Sequence, residues 1–268
     1  MRKIFEEYMR RLENEFRDSR FSFNFFARFV VIWTLLTRIP LPKRFWPDEM
    51  ITGKDALALS PLVGGILGML TGVLIAVVTI LGMGNLSAAW IGVAFYAFIG
   101  WAIHLDGWSD LWDGLGSGKS GEELRSVMKD SCVGSYGVTG LILALGLWTS
   151  LLSSVPTTQK IVALMIAGST GRFAICIAAL TGKYPWEQGL AKGWVDGFEG
   201  YDIFIAGICT LFFMPFAPIS WAFSMVFASL AAYFMSSRMN EKLGGVNGDV
   251  LGAAAVAGEL ISLAIFAL

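Results

Sequence analysis

Three aspartates, Asp106, Asp110 and Asp113, fall within the eleven-residue segment "HLDGWSDLWDG" (104–114). Their spacing is i, i+4, i+7, which on an α-helix places them within an arc of about 60° on one face. Like charges so arranged repel one another and weaken the helix, so the pattern calls for a positive partner. Cysteine is not nearby and His104 is rotated to the opposite side, so a hard divalent ion is expected, Mg²⁺ first and Mn²⁺ second. Mg²⁺ typically shares such carboxylates with substrate phosphates, so a phosphate-bearing ligand is the one to expect. The plainer reading is a solvated helix end carrying surface acids. Against it stands the cost of acids at a membrane boundary.

The next stretch extends the candidate site. Gly114, Gly116, Gly118 and Gly121 end the helix, and Ser120 with Glu123 has the form of a capping box that opens a second, short helix. That helix delivers Lys129, a candidate phosphate contact, and Asp130, either a further metal ligand or a general base. Arg172, in "GSTGRFAICI", lies inside an apolar run and needs an anionic partner, a carboxylate or a phosphate. In "KLGGVNGDVLGAAAVAGEL" a glycine-rich turn precedes Asp249, with Glu259 about two to three turns deeper. That turn could cradle a phosphate, and Asp249 could equally be a plain helix cap.

The elements that must position these residues are membrane helices. The chain is 55% hydrophobic and 15% charged, with a mean hydropathy of +0.63, which excludes an ordinary soluble domain. Apolar runs read as 57–82, 86–103, 137–155, 161–181, 203–218, 219–235 and 250–268, so the expected fold is an all-α polytopic bundle of about 6–7 transmembrane helices. The fifth and sixth runs are short and meet at the Pro215 to Pro218 turn, so one of them is a candidate broken or re-entrant segment. If the second run continues as helix through Asp113, it carries the aspartates out of the bilayer, with Trp108 and Trp112 as interfacial anchors.

The N-terminal stretch is charged and too long for the basic region of a cleavable signal peptide. It leads into a run from Phe21 to Leu36 interrupted by Arg28, read as an amphipathic or re-entrant segment. Residues 1–36 therefore form an extension, and 37–268 a single catalytic domain. Eleven of the 20 basic residues precede residue 57, and only Lys160 lies in the opposite loops. The positive-inside rule then puts the N-terminus and the aspartate face in the cytoplasm of a multi-pass inner-membrane protein, with the C-terminus outside. Cys132, Cys176 and Cys209 are scattered, which favours small apolar core residues over a disulfide or zinc site. Gly64, Gly68 and Gly72 have the small-xxx-small spacing of close helix packing.

Ordered along the chain, these motifs resemble the cobalamin synthases, the adenosylcobinamide-GDP ribazoletransferases of vitamin B12 nucleotide-loop assembly. "LTRIPLP" (36–42), "SPLVGGILG" (60–68), "HLDGWSDLWDGL" (104–115), "VMKDSCVGSYG" (127–137) and "LGGVNGDVLGA" (243–253) match in sequence; Asn247 replaces a usual threonine and Val256 a frequent glutamate. The resemblance implies attack by a hydroxyl of α-ribazole, or of its 5′-phosphate, on the cobinamide-linked phosphorus of adenosylcobinamide-GDP, with release of GMP. It implies Mg²⁺ on Asp106, Asp110, Asp113 and Asp130, catalytic roles for Asp110 and Asp130, and substrate contacts from Arg38, Lys129, Ser131, Arg172, Asn247 and Asp249. The partners expected are these two substrates and membrane lipid, with no nucleic acid; oligomeric state, a homo-oligomer included, is left open. Rival readings are a CDP-alcohol phosphatidyltransferase, whose Asp-Gly-x-x-Ala-Arg core is absent here, a cation transporter, and a purely structural role.

Overall fold

A computed structural model describes residues 20–47 and 53–268; the charged segment of the N-terminal extension lies outside them. Among the described residues every regular element is helical: α1 (Arg20–Leu36), α2 (Gly53–Leu57), α3 (Ser60–Ile80), α4 (Asn85–Ile99), α5 (Ile103–Gly116), α6 (Gly121–Met128), α7 (Ser135–Ser154), α8 (Lys160–Thr181), α9 (Lys192–Val195), α10 (Gly200–Leu211), α11 (Pro218–Leu243) and α12 (Gly248–Ala267). Five of them, α3, α7, the segment containing α8, α11 and α12, are long and apolar enough to cross a membrane, and the pair α4 and α5 brings the number to six if it counts as one bent span. The fifth expected run, 203–218, is instead α10, which ends at Leu211 and passes into a 3₁₀ turn containing Pro215. A helix of twelve residues is only about 18 Å long.

Hydropathy makes these spans look alike, but their packing separates them. The apolar window of the α8 segment is 83% buried and that of α12 67%, against 22% for α11, so α8 and α12 are the axis around which the others stand. Glycine makes the α3–α8 contact possible: a side chain on Gly64 would strike the Gly168 carbonyl, and one on Gly68 the Leu164 carbonyl. With little hydrophobic drive between helices in lipid, such close approach supplies much of the packing energy. Lys160, expected in an outer loop, is 1% exposed at the start of α8 and donates to Asn85 Oδ1 at 3.0 Å. The α1 helix does not stand apart either: Ala27, Val30, Ile32, Trp33 and Leu36 are buried, three of them in the central core.

One departure matters for function. The second apolar run does not continue straight through Asp113. It breaks after Gly100, where Trp101 (φ 62°) and Ala102 (φ 57°) are both left-handed, and α5 resumes at 94° to α4. Two consecutive non-glycine residues in that region cost of order 1–3 kcal/mol each and persist only where surrounding contacts hold them. Here the Arg38 amide donates to the Ile99 carbonyl at 2.7 Å, and the Arg38 guanidinium lies 4.4 Å from the Trp101 ring centre and 5.0 Å from that of Phe98.

Candidate active site

The turned helix α5 meets the beginnings of α7 and α12. Asp113 Oδ2 accepts from the Gly134 amide and Oδ1 from the Gly137 amide, both at 2.8 Å. These are unpaired donors at the positive end of α7, where a carboxylate is favoured. An added Cβ at either position would collide with the Asp113 carboxylate and displace it from these bonds. Asp113 thus joins α5 to α7 and has both oxygens engaged, unlike the freely presented ligand its spacing suggests.

Asp106 is exposed and Asp110 half-buried, both on the same side of α5, and Asp249 reaches them from the start of α12. The approach is close because Gly107 packs directly on the Asp249 backbone. Asn247, not Asp249, caps α12: its Oδ1 accepts from the Val250 amide at 3.1 Å, and its Nδ2 donates to Asp249 Oδ2 at 2.7 Å. Asp249 is therefore oriented toward the other acids with its second oxygen uncommitted by that bond. The charges of Asp249, Asp106 and Asp113 all bear on Asp110, and Lys129 is the cation that acts on Asp249. Such like charges fit a divalent cation between Asp106, Asp110 and Asp249. Among the described residues, though, no three acid, histidine or cysteine side chains converge closely enough to hold an ion by themselves. Two carboxylates with the balance from phosphate and water is the usual arrangement for Mg²⁺.

A basic and aromatic edge faces these acids. On α6, which starts at the expected Ser120 position but without a side-chain cap bond, Arg125 lies 4.3 Å from the Trp186 ring centre; Lys129 Nζ lies 5.3 Å from it. Tyr184 packs edge-on against Trp186. Burial raises the Tyr184 phenol above its ordinary range; Arg125 opposes the rise, and Asp249 and Asp196 add to it. The phenol stays neutral at physiological pH. Asp130 and Lys129 line an open groove of about 450 Å³ with Arg125, but the Asp130 Oδ1 accepts from the Cys132 amide at 3.0 Å, forming a local turn. Among the described residues Asp130 forms no close group of three acid, histidine or cysteine side chains with the α5 aspartates. Ser131 is exposed on that turn.

Arg172 is placed differently from the expected phosphate contact. It is 1% exposed within α8 and its Nη1 donates to Glu259 Oε1 and to the Tyr96 hydroxyl, which itself donates to Glu259 at 2.8 Å. The required anion is a carboxylate of the protein. Trp108 and Trp112 likewise turn inward: the Trp108 indole donates to the Gly140 carbonyl at 2.9 Å and Trp112 covers Gly140. Cys176 and Cys209 are buried as expected, whereas Cys132 is exposed. Sequence reasoning passed over Arg125, Tyr184 and Trp186. Their one signal was basic and aromatic character on the same face as the aspartates.

Comparison with known proteins gives this arrangement its relatives. A family model described as cobalamin-5-phosphate synthase matches residues 28–267. A protein of Clostridium acetobutylicum named adenosylcobinamide-GDP ribazoletransferase is 29% identical over 85% of this chain and 91% of its own length. Proteins of the same name from Clostridium kluyveri (30% identical, 84% and 90% covered) and Shigella boydii (28%, 87% and 97%) agree with it. No solved structure matches. By the extent of that match, the chain belongs to the cobalamin-5-phosphate synthase family.

Proposed function

We propose that this protein is an adenosylcobinamide-GDP ribazoletransferase, an integral membrane enzyme whose acidic cleft receives the diphosphate of the donor. The observation that carries the reading is the gathering of Asp106, Asp110 and Asp249 from two distant segments, opposite Lys129 and Arg125. In the reaction, a ribose hydroxyl oxygen of α-ribazole, or of its 5′-phosphate, attacks the cobinamide-linked phosphorus. A new P–O bond forms, the bond from that phosphorus to the bridging oxygen breaks, and GMP departs with the bridging oxygen. The hydroxyl proton is released.

Mg²⁺, bound by Asp106 and Asp110 with Asp249 beside them, would neutralise the diphosphate and the charge developing on the departing GMP. Asp113 positions α5 by holding the start of α7. Asp249, with one oxygen fixed by Asn247, offers its other oxygen to the hydroxyl proton. Lys129 and Arg125 hold phosphate oxygens on the leaving side. The active face is cytoplasmic, in keeping with the distribution of basic residues.

The test is purified protein in nanodiscs given adenosylcobinamide-GDP and α-ribazole 5′-phosphate, with and without Mg²⁺. Equimolar, Mg²⁺-dependent formation of GMP and the joined corrinoid is expected. CMP released from a CDP-alcohol, with no corrinoid product, would replace this reading by its phosphatidyltransferase rival.

A further inference from the structure

The acids of the cleft face a second space with a different chemistry. Between the end of α1, α5, α8, the segment from Leu190 into α9 and the start of α12 lies a cleft of about 260 Å³, just below the roughly 300 Å³ at which small-molecule sites usually start. Asp106 and Asp249 form one edge; the remaining wall is largely apolar, including Leu36, Ile175, Trp194 and Leu251. Neither lysine nor arginine lines it, whereas the groove on α6 is lined only by polar side chains, Arg125 and Lys129 among them. At the mouth, Leu190 is 97% exposed, an apolar side chain with almost no protein cover.

Phosphate oxygens can find a partner only at the acid edge, through the metal proposed there; the rest of the wall, largely apolar with His104 as its other polar side chain, offers them no cation. A flat apolar ring attached to a hydroxyl-bearing sugar matches both parts of the cleft. Resting on the transferase reading above, we infer that this cleft binds the acceptor nucleoside, the benzimidazole of ribazole packing between Trp194, Ile175 and Leu190 with its ribose at Asp106 and Asp249. The guanosine half of the donor then lies on the opposite, basic side along α6. The acids stand between the two, where phosphorus and hydroxyl must meet, and closure of Leu190 over the ring would exclude water from that point.

The test uses the full-length protein in nanodiscs and two loop variants. Ala191→Phe fills the cleft from a half-buried loop position, and Leu190→Ser removes apolar cover from a side chain that makes little contact within the fold. Equilibrium dialysis of α-ribazole without donor, together with both KM values, is the readout. Ala191→Phe is expected to raise the ribazole Kd and KM about tenfold, and Leu190→Ser severalfold, with the adenosylcobinamide-GDP KM within about twofold of wild type. Wild type should also lose about tenfold or more in kcat/KM when the two ring methyls of the acceptor are removed, and Leu190→Ser should narrow that gap. Should Ala191→Phe fail to fold, Leu190→Ser and the methyl comparison decide. An active wild type whose variants shift the donor KM, or neither KM, would overturn the cleft assignment and leave the transferase reading intact. A wild type that forms no product, yet binds ribazole in a manner Ala191→Phe abolishes, would remove the transferase reading and retain the cleft.

Discussion

Two regions of this molecule concentrate charge, and they resolve it in opposite ways. Inside the bundle, Arg172, Glu259 and Tyr96 form a closed set, one cation and one anion bridged by a hydroxyl, with the Arg172 and Glu259 side chains 2% and 7% exposed. At the helix ends, Asp106, Asp110 and Asp249 face one another with Lys129 at the margin and no anion-to-cation balance among themselves. In the first region the protein compensates its own charge, and the result is structural. In the second, Lys129 and Arg125 offset the acids only in part, and the proposed Mg²⁺ would supply the rest. An unbalanced group is a sounder guide to function than a buried one.

The largest way to sharpen that contrast is Asp110→Asn. Metal-dependent turnover should fall by about a thousandfold, while thermal stability in detergent stays level or rises because a like-charge contact is relieved. Full activity in this variant would take the cleft out of the chemistry. The interior set should behave in reverse. Glu259→Gln leaves a buried guanidinium without its anion and should cost about 3–5 kcal/mol of stability, read as loss of folded protein on heating, whereas Arg172→Met with Glu259→Leu should recover most of that loss. A double replacement no more stable than Glu259→Gln would mean that the pair does more than neutralise itself.

Added Mg²⁺ separates the regions more gently. At about 100 times its Kd it should stabilise wild type by about 2.7 kcal/mol and Asp110→Asn by much less, with the Glu259→Gln variant responding as wild type does. The smallest expected effect is at Asp113. Asp113→Ala removes a cap from α7 and should cost about 1 kcal/mol, together with a loss of activity from loosened α5. Asp113→Asn, which still offers one carbonyl acceptor, should lose less of both. Equal damage from the two would point to a direct metal contact.

Much of the site could be read from residue spacing, because a helix fixes angles over short range. Asp106 and Asp110 share a face as i, i+4 requires, and α6 begins where Ser120 and the glycines indicate. What escaped was set by partners far away in sequence. Asp113 has the same helical phase as the other two, yet its role is decided by amides 21 and 24 residues on. Arg172 demanded an anion, and sequence offered a carboxylate or a phosphate; Glu259, 87 residues later, is the answer because α8 and α12 pack along their length. The break at Trp101 and Ala102 was hidden since both residues suit a continuous helix and Gly100 is a weak signal alone. Hydropathy counted seven apolar runs but carries no information on which of them turns.

That break has a consequence for how the sequence can change. In an unbroken helix, one inserted residue rotates everything beyond it by about 100°, so the aspartates would be hostage to the length of α4. The left-handed pair at Trp101 and Ala102 resets the phase, and the angle of α5 is fixed locally, by Gly107 on the α12 backbone and Asp113 on the start of α7. A residue gained or lost on the lipid-spanning side of Gly100 can be absorbed there. The same change between Asp106 and Asp113 cannot, so that stretch is where the chain has no freedom to drift in length.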